Sequence, residues 1–346
     1  MTPTPIRTGL IGFGLSGQVF HAPFLLNDPA FTLAAVVSRQ TEKIRELAPA
    51  AEPVATLEAL LSRDDIELVV ITTPNELHYP QAKAALAAGK HVLLEKPAVT
   101  RIEQMEELTA LAAAQQRVLT VFQNRRFDGD FQYLAALIQR KALGALRHLD
   151  IRFDRFRPQP RDRWREKNVE GGGIFWDLGP HLMDQALQLL GPPQQISACL
   201  RTLRANSEAT DWFAVQLRYP QAQVTLGSTP FEAGDMRRFN ARFDAGSWQC
   251  WGLDPQEAAL RAGQSPGDKN YPDKGEAQQA RLSDGDVQQT VAVPKGDYAA
   301  FYAQLGHAIR EDGTPPVTPA EAKSLLVALQ LAEQSAREGR VLDWSE

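Results

Sequence analysis

The stretch TGLIGFGLSGQVFH, residues 8–21, runs from an apolar segment into three glycines with the spacing G-x-G-x-x-G. Where such a loop follows a strand and opens a helix, the first glycine, Gly12, makes the turn. Gly14, one residue beyond Phe13, lets the backbone approach a pyrophosphate, and Gly17 allows close helix–strand packing. The helix N-terminus offers unpaired N–H groups to the phosphates. The stretch therefore predicts a dinucleotide-binding loop, and the alternative is a turn that only reverses the chain.

Short apolar runs alternate with segments of helical periodicity in the first third of the chain. Continuous apolar strands separated by helices are typical of a parallel sheet covered on both faces. We therefore predict an α/β fold with a doubly wound Rossmann domain over residues 1–122. Five strands are expected, at Ile6–Gly14, Leu33–Ser38, Leu68–Thr73, His91–Lys96 and Val118–Gln123.

Beyond residue 122 the pattern changes to alternation with a period of two, as in DWFAVQLRYP (residues 211–220). Such alternation is typical of antiparallel strands with one buried face and one polar face. We expect a second α/β domain over residues 123–346, with a loop-like stretch at 262–289. A final helix is expected to begin at Pro319, with Thr318 and Glu321 forming a capping box. Further helices are expected near residues 131–139, 173–190 and 298–310.

Composition restricts the class of protein. The chain has 346 residues and a net charge of −5, which argues against nucleic acid as a partner because phosphate binding needs a basic surface. The sequence contains no apolar run of membrane-spanning length, and MTPTPIR lacks the features of a signal peptide. Cys199 and Cys250 show no metal-ligand spacing and are expected to be reduced and buried. We therefore expect a cytoplasmic protein without a membrane partner or a bound metal.

The end of the second strand bears on the choice of dinucleotide. An Asp or Glu about 20 residues after the glycines usually holds the ribose of NAD, but this chain has Ser38 and Arg39 there. A hydroxyl and a guanidinium can hydrogen-bond a 2′-phosphate that a carboxylate would repel, and Lys43 adds positive charge nearby. The pair predicts that NADP(H) is preferred over NAD(H). The alternative is that Arg39 only lies on a solvated loop.

Lys96 follows the fourth strand, in the sequence Glu95-Lys96-Pro97. The carboxyl ends of parallel strands line the crevice where the ligand binds. The position therefore predicts an ammonium group directed toward the reactive end of the dinucleotide. The alternative is a surface lysine paired with Glu95.

A second group of polar residues lies in GGGIFWDLGPHLMD, residues 171–184. On a helix, Asp177, His181 and Asp184 fall at i, i+4 and i+7, which is one face. Such a face can present a histidine base with a carboxylate that orients it or the substrate. A metal site and a purely structural histidine are the alternatives, and whether Pro180 bends the helix is open at this point.

The motifs GFGLSG, TTPNELH, EKP and GGGIFWDLGPHLMD, in this order, resemble the Gfo/Idh/MocA oxidoreductases over essentially the whole chain. The shorter motifs FHAPFL, QNRRFDGDF and WGLDPQE resemble the NADP-dependent scyllo-inositol dehydrogenase branch of that family. The resemblance implies a Rossmann domain followed by an α/β domain with a large open, mostly antiparallel sheet. That sheet is often the subunit interface, so a homodimer or homotetramer is expected.

The resemblance also implies roles for particular residues. Lys96 and His181 would be catalytic, and Asp177 would hold the substrate. The remaining residues are implied to line the cofactor site or the junction between the domains: Thr73, Pro74, Asn75, His78, Glu95, Asn124 and Arg125.

The expected activity is hydride transfer between NADP(H) and a secondary alcohol or ketone of a cyclic polyol or sugar. Arginine side chains and an aromatic ring suit a hydroxyl-rich substrate, although charged residues on such strands are usually solvated. The candidates for further substrate contacts are Arg155, Arg157, Arg163, Trp164, Arg165 and Tyr298. Two other functions are open: a non-catalytic nucleotide-binding regulator, and a redox-neutral NAD-dependent glycosidase.

Overall fold

A computed structural model describes residues 4–162, 166–272 and 278–345. Arg163, Trp164 and Arg165, three of the predicted substrate contacts, lie outside the described residues. The chain divides into two compact units, and the first comprises Met1–Asn124, Pro255–Gly275 and Asp297–Lys323. The second comprises Arg125–Asp254, Glu276–Gly296 and Ser324–Glu346.

The strands of both units are β1 (Ile6–Ile11), β2 (Phe31–Val37), β3 (Glu52–Val54), β4 (Leu68–Ile71), β5 (His91–Leu94), β6 (Leu119–Val121), β7 (Leu146–Arg152), β8 (Gln195–Arg201), β9 (Trp212–Arg218), β10 (Gln223–Ser228), β11 (Arg237–Phe243), β12 (Gly246–Trp251), β13 (Gln279–Ser283), β14 (Gln288–Val291) and β15 (Leu342–Asp343). The α-helices are α1 (Ala22–Asn27), α2 (Thr41–Leu47), α3 (Leu57–Leu61), α4 (Asn75–Ala87), α5 (Ile102–Ala114), α6 (Gly129–Gln139), α7 (Gly173–Leu190), α8 (Gln256–Arg261), α9 (Ala299–Arg310) and α10 (Pro319–Glu338).

The first unit is built on a six-stranded parallel sheet with the order β3-β2-β1-β4-β5-β6. This order, with its switch point beside β1, is that of a dinucleotide-binding Rossmann fold. The strands β4 and β5 are almost wholly buried, as expected for a sheet with helices on both faces. The five expected strands are therefore confirmed. β1 ends earlier than expected, at Ile11, because Gly12 has a φ of +89°.

The sequence pattern does not indicate β3. This strand has only three residues and pairs with β2 at the edge of the sheet. A run that short carries no periodic signal.

Two later segments of the chain complete the first unit, so it does not end near residue 122 as the predicted division has it. Phe301, Tyr302 and Leu305 on α9 are fully buried, and the Tyr302 ring stacks on Phe24 of α1 with centroids 5.0 Å apart. Burial of these apolar side chains attaches the later segment to the N-terminal sheet.

The second unit contains a nine-stranded sheet with the order β14-β13-β12-β11-β7-β10-β9-β8-β15. Among the strand pairs described in this sheet, only β7 and β10 pair in parallel. The sheet is therefore mostly antiparallel, as the sequence predicts. β9 shows the predicted alternation, with Phe213, Val215 and Leu217 buried. The Phe213 ring contacts Phe175 of α7 at 5.4 Å between centroids, so this face of the sheet packs against that helix.

The helix predictions are confirmed, including the start of α10. The Thr318 backbone N–H donates to Glu321 Oε2 at 2.8 Å, and the Glu321 N–H donates to Thr318 Oγ1 at 3.2 Å, which is the predicted capping box. Pro180 lies inside α7, where Gly179 packs against Phe175.

Two predictions for the second unit are wrong. The stretch 262–289 was expected to be a loop, but it includes β13 and the start of β14, whose polar side chains hide the strand pattern at this sheet edge. Cys199 is exposed on β8, whereas Cys250 is buried as expected.

Among the described residues, none of the helices is both long enough and apolar enough to cross a membrane. The same part of the chain contains no group of three or more His, Cys, Asp or Glu side chains that could hold a metal ion.

Candidate functional site

The glycine loop has the geometry that a dinucleotide requires. A Cβ atom added to Gly12 would lie 2.9 Å from Thr72 Oγ1, and one added to Gly17 would lie 2.5 Å from the Gly12 carbonyl oxygen. Neither position therefore accepts a side chain without a shift of its surroundings. A Cβ atom on Gly14 would meet nothing within 4 Å. The open space at Gly14 is where the backbone must admit a pyrophosphate, so the loop fits a dinucleotide.

Two glutamine side chains that the sequence analysis missed hold this loop. The carbonyl oxygen of Phe13 accepts hydrogen bonds from the Gln18 side chain and, at 3.0 Å, from Gln40 Nε2. Gln40 follows the end of β2, where its N–H also donates to Ser38 Oγ at 3.2 Å. Ser38 is half-buried and Arg39 is exposed at the same strand end. Nothing in the spacing of the two glutamines indicates this contact.

His78 on α4 is 1% exposed and lies among backbone carbonyl groups. Its Nε2 is 2.8 Å from the Thr73 carbonyl oxygen, and its Nδ1 is 2.9 Å from that of Pro97. Burial lowers the pKa of His78, although these carbonyl contacts and the charge of Glu95 act in the opposite direction. The ring therefore ties the end of β4 to the segment that carries Lys96. Its direct contact with a cofactor stays a prediction.

The other predicted residues at the end of β4 differ in exposure. Thr73 is half-buried and its Oγ1 donates to Gln81 Oε1 at 2.7 Å. Pro74 is exposed, while Asn75, the first residue of α4, is 9% exposed. Their place at the carboxyl end of a central strand is where the fold binds ligands.

Glu95 connects the lysine segment to the glycine loop. Its Oε1 accepts hydrogen bonds from Ser16 Oγ and, at 3.1 Å, from His21 Nε2, while its Oε2 accepts from the Lys96 N–H at 2.9 Å. Burial alone would raise the pKa of Glu95. The hydrogen bond from His21, the charges of His21 and Lys96, and the hydrogen bond from Ser16 outweigh burial and lower that pKa to about 2. Glu95 is therefore ionised at neutral pH.

A buried tyrosine extends this arrangement. Tyr302 Oη lies 2.9 Å from His21 Nδ1 and donates to the Phe20 carbonyl oxygen at 3.0 Å. In the sequence, FHAPFL is recognisable only as a family motif, which indicates no separate role for His21 or Tyr302. Their contact spans more than 280 residues of chain, so no local pattern reveals it.

In the second unit, α7 carries the predicted catalytic face. His181 is 6% exposed and Asp177 is half-buried on the same helix. Asp184 is 3% exposed, and its two carboxylate oxygens accept from Arg126 Nε at 2.9 Å and Arg126 Nη2 at 2.7 Å. Such a bidentate pair fixes geometry as well as charge. Asp184 therefore anchors the helix to the segment before α6, while Asp177 and His181 carry the predicted chemistry.

Asp177 lines an open pocket of the second unit with about 470 Å³ of empty space, part of it continuous with solvent. Arg157, a predicted substrate contact, lines the same pocket, as does Arg155. Arg204 forms one wall, held by Asp211 Oδ2 at 3.0 Å and Glu166 Oε2 at 3.1 Å. The pocket thus combines carboxylates and guanidinium groups at the N-terminal end of α7.

The remaining predicted residues are buried. Asn124 is 6% exposed, and Arg125 is 5% exposed, paired with Asp128 at 3.2 Å and placed over the Phe153 ring at 4.9 Å. Tyr298 is fully buried in the first unit, where its ring contacts Phe24 at 6.4 Å. The structure gives Tyr298 a packing role, and substrate binding stays only a prediction for it. Lys96 belongs to the first unit and His181 to the second.

Comparison with known proteins places both units in one family. Residues 6–123 match the Gfo/Idh/MocA oxidoreductase family with an NAD-binding Rossmann fold, and residues 131–249 match the Gfo/Idh/MocA C-terminal domain. The chain is 39% identical over 334 residues to the uncharacterized oxidoreductase YdgJ of Escherichia coli (strain K12), covering 96% of each chain. It is 34% identical over 342 residues to the scyllo-inositol 2-dehydrogenase (NADP(+)) IolW of Bacillus subtilis (strain 168), covering 97% of this chain and 95% of that one.

Solved structures agree with this assignment. The yvaA protein of Bacillus subtilis superposes with a TM-score of 0.93 at 32% identity, and the match covers 100% of both chains. The YPO2259 protein of Yersinia pestis superposes with a TM-score of 0.93 at 36% identity, covering 99% of this chain and 98% of that one. The chain therefore belongs to the Gfo/Idh/MocA family of oxidoreductases.

Proposed function

We propose that this protein is an NADP(H)-dependent oxidoreductase that interconverts a secondary alcohol and a ketone on a cyclic polyol or sugar. The observation that carries the proposal is the Glu95 carboxylate, which joins the helix of the glycine loop to the backbone of Lys96. A lysine held in this way beside a dinucleotide loop is suited to act on a substrate oxygen next to the nicotinamide.

The cofactor would be held by the loop residues Gly12, Gly14 and Gly17, with phosphates at the helix N-terminus. Ser38 and the exposed Arg39 at the end of β2 would bind a 2′-phosphate, which favours NADP(H) over NAD(H). When bound, the oxidised nicotinamide supplies the hydride acceptor.

The side chains of this protein would handle the proton and the charge. His181 would accept the hydroxyl proton as general base, because an imidazole titrates near neutral pH. Lys96 would donate a hydrogen bond to the same oxygen and stabilise its developing negative charge. In the reverse direction, the imidazolium would return the proton to the new alkoxide.

The pocket beside Asp177 supports a substrate with several hydroxyl groups. Asp177 accepts hydrogen bonds, whereas Arg157 donates them, so neighbouring hydroxyls of one ring could each find a partner. The full-length similarity to a scyllo-inositol 2-dehydrogenase supports an inositol-like ring as the first substrate to test.

The test is an initial-rate assay of nicotinamide absorbance with a panel of inositols and aldoses, in parallel with NADP and NAD. We expect reduction of NADP by scyllo-inositol or a related polyol, and much lower rates with NAD. Variants Lys96→Ala and His181→Ala should bind NADPH nearly normally but lose at least about 100-fold in kcat, the usual contribution of such groups. Retained turnover in both variants would refute their assigned roles.

The same assay separates the two other candidate functions. Tight NADPH binding without a redox change on any polyol would favour a nucleotide-binding regulator. Hydrolysis of a glycoside without net absorbance change would favour a redox-neutral glycosidase.

A further inference from the structure

The helix that follows the glycine loop contains a wide turn. Residues Gly17–His21 form a π-helical turn, in which the Ala22 N–H donates to the Gly17 carbonyl oxygen. Pro23 follows directly and has no N–H, and in a continuous α-helix its ring would clash with the carbonyl group four residues earlier. The wide turn is therefore a local response to the proline, and such turns are common at functional sites.

This turn decides which side chains can share a partner. Ser16 and His21 are five residues apart, and in an α-helix of 3.6 residues per turn they would point about 140° away from each other. In a turn closed by bonds between residues five apart, they lie on the same side. Both side chains indeed contact the same oxygen, Glu95 Oε1.

The histidine between Glu95 and Tyr302 is shielded from solvent, with a side-chain exposure of 0%. A carboxylate only accepts hydrogen bonds, so His21 Nε2 must carry a proton to bond Glu95. The Tyr302 hydroxyl holds the other side of the ring at Nδ1, and its own ring is fixed by stacking on Phe24. The imidazole therefore has one orientation available to it.

We propose that His21 and Tyr302 are positioning residues that hold the Glu95 carboxylate against the glycine-loop helix and thereby fix the backbone of Lys96. The π-turn is the device that brings Ser16 and His21 to the carboxylate together. Binding of a dinucleotide to the loop is then coupled to the placement of the lysine. This inference rests on the proposed role of Lys96, but its structural part is measurable without turnover.

The test is amide hydrogen exchange by mass spectrometry on the full chain, in four variants. His21→Leu removes the donor to Glu95, His21→Gln keeps a donor, Tyr302→Phe removes one hydroxyl, and Ser16→Ala removes the second donor. In His21→Leu, we expect exchange to rise at least fivefold both in residues 12–22 and in residues 93–99. His21→Gln should restore most of the protection, and Tyr302→Phe should show a smaller rise in both segments.

The control is Tyr219→Phe, which removes a partly buried hydroxyl that donates to the Gly191 carbonyl oxygen in the second unit. It should leave exchange in both segments unchanged. NADPH affinity, measured by fluorescence titration, should fall about threefold to tenfold in His21→Leu and recover in His21→Gln. If the natural protein oxidises a polyol, the kcat of His21→Leu should fall by a larger factor than its KM rises.

Faster exchange in residues 12–22 with unchanged exchange in residues 93–99 would overturn the inference, because His21 would then support only its own helix. If His21→Leu loses protection in both segments while the natural protein shows no polyol activity, the positioning role stands and the proposed function is rejected instead. If His21→Leu does not fold, Tyr302→Phe and Ser16→Ala give the same comparison with milder changes.

Discussion

Gly14 and Gly17 lie three residues apart in one loop, but an added Cβ atom has opposite surroundings at the two positions. At Gly17 it would lie 2.5 Å from a backbone oxygen, and at Gly14 it would lie in open space. We therefore expect Gly17→Ala to lower the free energy of unfolding by about 1–3 kcal/mol, the usual cost of overpacking. Gly14→Ala should change it by less than about 0.5 kcal/mol, yet weaken NADPH binding because the methyl group occupies the phosphate approach.

Urea denaturation and NADPH titration of the two variants check this expectation. Equal losses of stability would contradict the open space at Gly14. Unchanged NADPH affinity in Gly14→Ala would show that this space is not a binding surface.

Arg39 decides the choice between the two dinucleotides if its guanidinium binds a 2′-phosphate. Arg39→Ala should weaken NADPH binding about tenfold, in line with the loss of a charge-assisted hydrogen bond. Binding of NADH should be almost unchanged. Arg45→Ala is the matched control, since Arg45 is equally exposed on α2 but lies farther along the chain. A parallel loss of affinity for both dinucleotides would reject the 2′-phosphate contact.

At the scale of elements, α7 and α10 are joined by a partly buried hydrogen bond. Trp176 Nε1 donates to Glu333 Oε1 at 2.7 Å. Burial raises the pKa of Glu333, although the bond from Trp176 and the charge of Arg337 act in the opposite direction. The folded protein therefore binds this proton more tightly than the unfolded chain, and stability is lost as pH rises through the carboxyl range.

Glu333→Gln keeps an acceptor for Trp176 and removes the partly buried charge. We expect it to be more stable than the natural protein by about 0.5–1 kcal/mol at pH 7, with the difference vanishing in acid. Glu338→Gln on the same helix is the control, and its change in stability should have the opposite sign. Hydrogen bonds from Gln334 and Arg340 lower the pKa of Glu338 instead of raising it. It should be less stable than the natural protein near neutral pH. Denaturation of both variants at several pH values measures these changes. A stability difference between Glu333→Gln and the natural protein that does not depend on pH would contradict a raised pKa of Glu333.

At the scale of the whole molecule, the second face of the nine-stranded sheet bears on assembly. Ala214 of β9 pairs with Cys199 of β8 and Gly227 of β10, on the side opposite to the residues that pack against α7. We predict a homodimer or homotetramer through this face. Ala214→Arg should shift the sedimentation coefficient toward the monomer, because a buried unpaired charge is costly at an interface.

The matched control is Ala113→Arg, at an exposed position on α5 of the first unit. It should sediment like the natural protein. A stable monomer of the natural chain at micromolar concentration would reject the prediction.

The features that were readable from the sequence alone are those determined by neighbouring residues. The glycine spacing, the capping box of Thr318 and Glu321, and the full extent of α7 follow from backbone freedom, local hydrogen bonds and apolar periodicity. The same local chemistry indicated a parallel sheet followed by a mostly antiparallel one. It missed β3 and the edge strands β13 and β14, because short or polar strands carry no period that distinguishes them from loops.

Only the tertiary structure decided the partners of Glu95 and the extent of the first unit. Ser16 and His21 lie more than 70 residues from Glu95 along the chain, and Tyr302 lies more than 280 residues from His21. Contacts between such distant side chains form only after the sheet and its helices pack, so they leave no pattern in the sequence near either partner. For the same reason, the attachment of α9 to the N-terminal sheet depends on shape and apolar burial, which a linear division of the chain does not contain.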